Sequence, residues 1–405
     1  MVFKKPITEQ FVPLLYFIAV VYTVLNLGGG FLEIPGIFFL GVFISTVIYF
    51  FLRTLPLPLD RKSMLGILFI TPLIFINCSL SIELINTSLY WALWLMFIVS
   101  LLKVIQRFSQ NDLENIFNHI PYILLTASLI LYIILFPYLG GSLPTKNSLG
   151  LLAGGTLIAA LSIKKTKLRV SVICLALFIL FESDSRSSLV FAIGITALYL
   201  LSSVRSKNAP IFMLGIVLLL IFQGNLYRLL EEKMLAKELY ATNLSEAIES
   251  AQKERTDLLT SGWKIYLERP IMGYGLKTKY YEGRLEVAPG VFVHVHNGYL
   301  STLIETGVII SFFVFLLLIK LLYKIGRQLL LLPKSYDKIW LYFILFGLIR
   351  AYGENYLFFN IGNIFSIFFV FLCALLLAQS RLKLVLPRGQ ILPLKKRSDK
   401  VETSF

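Results

Sequence analysis

The chain is a succession of long apolar runs separated by short polar connections. A membrane-spanning helix needs about 17 to 25 consecutive apolar residues. This pattern predicts an all-α polytopic membrane protein with about 12 transmembrane helices. The predicted spans lie near 11–29, 35–52, 64–82, 84–102, 120–138, 148–163, 168–182, 187–204, 209–223, 298–320, 338–356 and 358–378.

One polar connection is much longer than the others. Residues 223–297 carry apolar side chains at helical spacing over 226–239 and 257–267, with Glu and Lys between them. This spacing is typical of amphipathic helices, which we expect to lie over the membrane surface. Pro270 should end the second helix, and Gly273-Tyr274-Gly275 should form a tight turn. The chain therefore divides into a first bundle (1–222), this loop (223–297), three further spans (298–380) and a basic tail (381–405).

Composition and charge agree with a membrane protein and set its expected orientation. Hydrophobic residues make up 57% of the chain, the mean hydropathy is +0.79 and the net charge is +15. The basic residues collect in alternate connections, such as Lys164, Lys165 and Lys167, and in the tail. By the positive-inside rule, these connections and both termini are cytoplasmic, and the 223–297 loop lies on the opposite side. The basic excess therefore indicates orientation and contact with anionic membrane lipids, and we expect no nucleic-acid partner.

Arg186 departs from this charge pattern. It follows Asp184 and Ser185 in a short outer turn and stands in the first turn of the eighth span. A cation is disfavoured at that end of a helix dipole unless an anion binds there as well. The sequence thus predicts an anion site at Arg186, with a local pair between Arg186 and Asp184 as the alternative.

Two further arginines lie on the predicted outer side. Arg255 precedes Thr256, which we expect to cap the second amphipathic helix, so that Arg255 repeats the pattern of an arginine at a helix start. Arg350 ends an outward-running span, where the helix dipole favours a cation. For Arg350 we expect contact with lipid headgroups or a pair with Glu354.

The segment His294-Val295-His296-Asn297 joins the polar loop to the tenth span. Asn297 is a good N-cap residue, which places His296 at the mouth of a helix. Two histidines at this spacing also occur in metal sites, but no Cys, Asp or Glu cluster accompanies them, so no metal is expected. A histidine with a pKa near neutrality is suited to proton transfer.

Taken together, these motifs resemble the O-antigen ligase and O-antigen polymerase superfamily. The resemblance is carried by Asp184-Ser185-Arg186, by Arg255 with Trp263, by Pro270-x2-Gly273-x-Gly275, and by His294-Val295-His296-Asn297 before a helix that contains Glu305-Thr306-Gly307. It implies a membrane glycosyltransferase fold of the C type. It also implies His296 as the essential histidine, with His294 as second choice, and Arg186 and Arg255 as pyrophosphate-binding residues, with Asp184, Asn297 and Arg350 in possible supporting roles.

The resemblance further implies an inverting glycosyltransferase that needs neither metal nor cofactor. Its donor would be a glycan linked to undecaprenyl pyrophosphate, and its acceptor the lipid A core at the periplasmic face of the bacterial inner membrane. An O-antigen polymerase, which joins lipid-linked repeat units, is the nearest alternative. A transporter or flippase would also be all-helical, but it usually carries ionisable residues near the bilayer midplane.

Overall fold

The computed structural model describes residues 12–13, 15–17, 20, 36–54, 58–136, 146–183, 185–203, 244–276, 286–288, 291–292, 295, 297–331, 338–353, 359 and 364–378. These residues are almost entirely helical. The helices are α1 (Gly36–Thr54), α2 (Arg61–Ser79), α3 (Leu84–Ile105), α4 (Gln110–Leu135), α5 (Lys146–Ala160), α6 (Thr166–Glu182), α7 (Arg186–Ser203), α8 (Leu244–Glu268), α9 (Gly298–Leu331), α10 (Lys338–Gly353) and α11 (Ile364–Ala378). A short antiparallel ribbon of β1 (Glu286–Ala288) and β2 (Val291–Phe292) precedes α9.

The predicted apolar helical character is confirmed. Within the described residues, 3 helices are long and apolar enough to cross a membrane: Leu84–Ile105, Asn111–Leu135 and Gly298–Leu329. Shorter apolar helices cover Ser63–Ser79, Asn147–Ala160, Ser187–Leu200 and Ile364–Leu377. The number of spans and the side of the 223–297 loop remain predictions. The ninth span, the predicted helix at 226–239 and the basic tail lie outside the described residues, as does most of the first span.

Contacts at the helix ends show that neighbouring helices run in opposite directions. Gln106, just after α3, donates from Nε2 to the Asp60 carboxylate just before α2 at 2.5 Å. Lys164, just after α5, pairs with Glu114 near the start of α4 at 2.7 Å. The end of one helix therefore meets the start of its neighbour, as alternating crossings require.

Helix α10 lies at the centre of the bundle. Its side chains are buried around nearly its whole circumference, which is expected of a helix surrounded by other helices. Gly154 of α5 allows a close approach, because a Cβ there would lie 2.6 Å from the Phe346 ring. Gly347 likewise makes room for the Phe369 ring of α11. Small residues at such contacts bring helix backbones together, so the end of α10 is enclosed by neighbouring helices.

Helix α9 is broken at Gly307, which differs from the single span predicted over 298–320. Gly307 has φ 69° and ψ 179°, a conformation that favours glycine. The rings of Tyr299 and Phe315 lie 6.4 Å apart, although 16 residues of straight helix would separate them by about 24 Å. The segments before and after Gly307 therefore fold toward each other. The second segment, 308–331, is about 36 Å long and is still sufficient to cross a bilayer.

Candidate functional site

Helix α7 begins at Arg186, where the sequence predicted a helix start. The carbonyl of Ser185 accepts a hydrogen bond from the Leu189 N–H at 3.0 Å, the first turn of the helix. Gly150 of α5 packs directly against Ser185, and a Cβ at Gly150 would collide with the Ser185 side chain. The first N–H groups of a helix have no partner within the helix. The start of α7 is therefore held against α5 and presents main-chain donors. Asp184 lies outside the described residues.

Arg350, near the end of α10, contacts this helix start. Its side chain is 0% exposed, and its Nη1 donates to the Ser187 hydroxyl at 2.5 Å. The predicted contact with lipid headgroups is wrong, because the central position of α10 encloses the guanidinium in protein. Glu354 lies outside the described residues. Arg350 thus brings a buried cation to the residue that follows Arg186.

The start of α9 is joined to the same turn of α10. The Asn297 side-chain oxygen accepts from the N–H groups of Tyr299 at 3.1 Å and Leu300 at 3.0 Å, which confirms the predicted N-cap. The Tyr299 hydroxyl donates to the carbonyl of Leu348 at 2.8 Å. Leu348 and Arg350 are two residues apart, about 3 Å along the helix axis. The segment that follows His296 therefore reaches the turn of α10 that binds Ser187. His294 and His296 lie outside the described residues.

Helix α8 packs along the first segment of α9, and the two run in the same direction. A Cβ at Gly262 would lie 3.0 Å from the Leu300 side chain and 3.1 Å from Val295. Further along, Ile265 and Tyr266 share a buried cluster with Ile304. Helix α8 is thereby placed beside Val295 and the first turns of α9.

The structure corrects the predicted position of Arg255. Helix α8 begins at Leu244, so Arg255 lies about three turns inside it and Thr256 is not its cap. The preceding residues are mostly helix formers such as Ala, Glu, Gln and Lys, with no Gly or Pro to stop the helix. The dipole argument for Arg255 therefore fails. The main chain at position 255 is instead part of the helix interior, about two turns before Gly262, which packs against α9.

The turn after α8 is inserted into the break in α9. In a continuous helix, the N–H groups of residues 308 and 309 would bond the carbonyls of residues 304 and 305. Here all four groups bond the turn instead, through Tyr274 N to Ile304 O (2.9 Å), Gly275 N to Glu305 O (2.9 Å), Val308 N to Pro270 O (2.7 Å) and Ile309 N to Ile271 O (3.4 Å). We call this set of main-chain bonds the clasp.

Glycine is required at the positions where the clasp closes. Gly273 has φ 70°, Gly275 has φ 106° and Gly307 has φ 69°. A Cβ at Gly307 would collide with the Ile271 carbonyl, and one at Gly273 would lie 2.6 Å from the Glu305 carbonyl. The predicted tight turn is confirmed. The Pro-x2-Gly-x-Gly and Glu-Thr-Gly motifs therefore hold α8 to α9.

Asn77 of α2 binds both halves of the clasp, and the sequence analysis did not identify it. Its Nδ2 donates to the carbonyls of Met272 at 2.6 Å and Glu305 at 3.2 Å, and its Oδ1 accepts from Trp91 Nε1 at 2.9 Å. The side chain is buried, with 1% exposed. The sequence does carry a signal for this role, since Asn77 is an amide inside an apolar run. A polar group buried at that depth needs hydrogen-bonding partners.

The residues that the structure describes contain no group of three or more His, Cys, Asp and Glu side chains that could hold a metal ion.

Residues 171–319 match the model of a family described as O-Antigen ligase. The match runs from α6 through most of α9 and includes Arg186, Arg255, the clasp and the histidine segment. No curated protein and no solved structure matches the chain.

Proposed function

We propose that the chain belongs to the O-antigen ligase and polymerase superfamily of membrane glycosyltransferase-type enzymes and is an O-antigen ligase, which the family match over residues 171–319 supports. It transfers a polymerised glycan from undecaprenyl pyrophosphate to the lipid A core sugar. The reaction takes place at the periplasmic face of the bacterial inner membrane. This proposal is a finer assignment than the family, which also includes polymerases.

The observation that carries the proposal is the pair of hydrogen bonds made by one turn of α10. Ser187, which follows Arg186, bonds Arg350, and Tyr299, three residues after His296, bonds Leu348. Two motifs more than 100 residues apart in the chain are thus attached to the same turn. This supports one site that contains both Arg186 and His296.

In the proposed reaction, the oxygen of an acceptor hydroxyl attacks the anomeric carbon of the donor glycan. The bond from that carbon to the pyrophosphate oxygen breaks, and undecaprenyl pyrophosphate leaves with the electron pair. The hydroxyl proton passes to a ring nitrogen of His296. Attack opposite the leaving group inverts the anomeric configuration. A positioned base of this kind contributes about 10²- to 10⁴-fold in rate.

Arg186 and Arg255 stabilise the charge that develops on the pyrophosphate. A guanidinium binds two phosphate oxygens at once, and the N–H groups at the start of α7 add main-chain donors. Together these groups supply the positive charge that a divalent ion provides in many phosphate-transferring enzymes. In this proposal Arg350 and Asn297 position the two helix starts, Asp184 orients Arg186, and His294 is the second candidate for the base.

A gene deletion distinguishes the ligase from the polymerase. Loss of a ligase leaves polymerised glycan on the undecaprenyl carrier, whereas loss of a polymerase leaves single repeat units on the lipid A core. We expect the first result, and the second would replace the ligase proposal with the polymerase.

Complementation of the deletion tests the residue roles. Arg186→Lys should lose most activity, because lysine cannot bind phosphate in a bidentate manner. Arg107→Lys is the matched control, since Arg107 is exposed in the turn after α3. Equal complementation by both variants would contradict a phosphate role for Arg186.

A further inference from the structure

The exposed side of α8 changes from polar to apolar along the helix. Thr256 and Thr260 are followed on the same side by Trp263, Leu267 and Ile271, which are 49%, 56% and 59% exposed. An amphipathic helix that lies flat on a membrane keeps its apolar stripe along its whole length. Between Thr256 and Ile271 the exposed side becomes apolar only toward the end of α8 and in the turn that follows, which is expected of a helix that enters the membrane obliquely.

The apolar end of α8 is continuous with the exposed surface of two apolar helices. Ile271 is tied to α9 by the clasp through the N–H of Ile309. Val308, the preceding residue, and Phe312 lie four residues apart on one face of α9 and are 44% and 54% exposed. On the other side, Arg269 donates to the carbonyl of Leu80, which follows α2 and is 53% exposed. We call Trp263, Leu267, Ile271, Leu80, Val308 and Phe312 the α8 surface.

Lipid acyl chains are the partner that fits the α8 surface. The apolar side chains of α9 that face outward must meet hydrocarbon in a membrane-spanning helix, and the α8 surface extends that same face. A soluble partner would have to cover this patch while leaving the adjoining side of α9 to lipid.

The charged groups near the end of α8 are engaged within the protein. The Glu268 carboxylate accepts from the Tyr274 hydroxyl at 2.6 Å. The Arg269 guanidinium lies 5.4 Å from the centre of the Tyr274 ring and bonds the Leu80 carbonyl at 3.1 Å. These contacts lower the cost of bringing the segment into an apolar phase. Lys264, further from the clasp, has a chain long enough to extend its ammonium group to the headgroups.

We infer that the last turns of α8 and the turn that follows are embedded in the adjacent lipid leaflet. Trp263 lies at headgroup level, where tryptophan is enriched, and Leu267 and Ile271 lie among the acyl chains. From Trp263 to Glu268 the helix is about 8 Å long, so its oblique descent stays within the roughly 5–10 Å depth of interfacial helices. The bilayer then helps the clasp to hold α8 against α9.

Spin labels on the full-length protein test this inference in nanodiscs of phosphatidylethanolamine and phosphatidylglycerol. Cys78, Cys174 and Cys373 are first replaced by alanine, and labels are attached at Leu267→Cys or at the polar control Ser261→Cys. Phe312→Cys on α9 is the lipid reference. The collision rate with oxygen, divided by that with a water-soluble nickel complex, should be similar at positions 267 and 312 and several-fold lower at 261. Equal ratios at 267 and 261 would overturn the inference.

Tryptophan quenching provides a second measurement without labels. In nanodiscs made with brominated acyl chains, part of the fluorescence quenching should come from Trp263 and be lost in Trp263→Phe. Unchanged fractional quenching in that variant would contradict the placement of Trp263 at the membrane. Neither measurement involves glycan transfer, so the result is independent of the proposed function.

Discussion

Asn77→Asp should loosen the clasp while keeping the shape of the side chain. The substitution removes the amide donor that serves Met272 and Glu305 and keeps an oxygen near Trp91 Nε1. The Glu305 carbonyl retains the Gly275 N–H at 2.9 Å. The main loss therefore falls on the Met272 carbonyl.

The magnitude follows from these two carbonyls. Leaving the partly buried Met272 carbonyl without its donor costs about 1–3 kcal/mol, and the lost second bond at Glu305 adds about 1 kcal/mol. The clasp should thus weaken by about 2–4 kcal/mol when the introduced carboxyl is neutral, and by more when it is ionised, because a buried carboxylate facing carbonyl oxygens has no compensating partner. At about 1.4 kcal/mol per factor of ten, its open population should rise by about 30- to 700-fold.

Hydrogen–deuterium exchange measures this opening directly. The clasp contains four main-chain amides, those of Tyr274, Gly275, Val308 and Ile309. Peptides that contain these amides should exchange about 30- to 700-fold faster in Asn77→Asp, in proportion to the larger open population. Asn86→Asp is the matched control, because Asn86 is exposed and its amide donates to the Glu83 carboxylate at 2.7 Å, away from the clasp. If both variants exchange like the unmodified protein, the clasp does not depend on Asn77.

Three further substitutions test other parts of the site by thermal unfolding in detergent. Gly307→Ala should lower the stability by at least about 2 kcal/mol, because of the positive φ at this position and the collision of the new Cβ with the clasp. Gly326→Ala, where a Cβ meets nothing within 4 Å, should not destabilise the protein. Similar effects of the two substitutions would refute the strain argument. Asn297→Ala should cost about 1 kcal/mol and Asn297→Asp much less, so equal losses would argue against capping. Arg350→Ala should cost about 3–5 kcal/mol as a fully buried side chain, and an effect no larger than that of the exposed Arg327→Ala would contradict its structural role.

The sequence predicted the positions of most described helices, because apolar runs mark the parts of the chain that are buried in lipid or protein. It placed the start of one helix near residue 120, whereas α4 begins at Gln110. Ser109 and Asp112 bond each other's main-chain N–H groups and cap that helix. This signal is visible in the sequence, but hydropathy alone does not detect polar helical turns.

The break at Gly307 could not be predicted from the local sequence. A glycine within an apolar helix is usually tolerated without a break. In α9 the break is stabilised by main-chain groups of residues 270–275, more than 30 positions away in the chain. The burial of Arg350 could not be predicted from the local sequence either. Its position at a helix end predicted contact with lipid headgroups, whereas the packing of other helices around α10 buries it.

The most direct test of the proposed function is glycan transfer by the purified protein. The protein in nanodiscs is supplied with undecaprenyl-pyrophosphate-linked glycan and rough lipopolysaccharide. We predict a ladder of glycan-bearing lipopolysaccharide with the unmodified protein and a rate lower by about 10²- to 10⁴-fold with His296→Ala. A ladder formed at the same rate by His296→Ala would contradict the role of His296 as the base, and no transfer by the unmodified protein would contradict the ligase proposal.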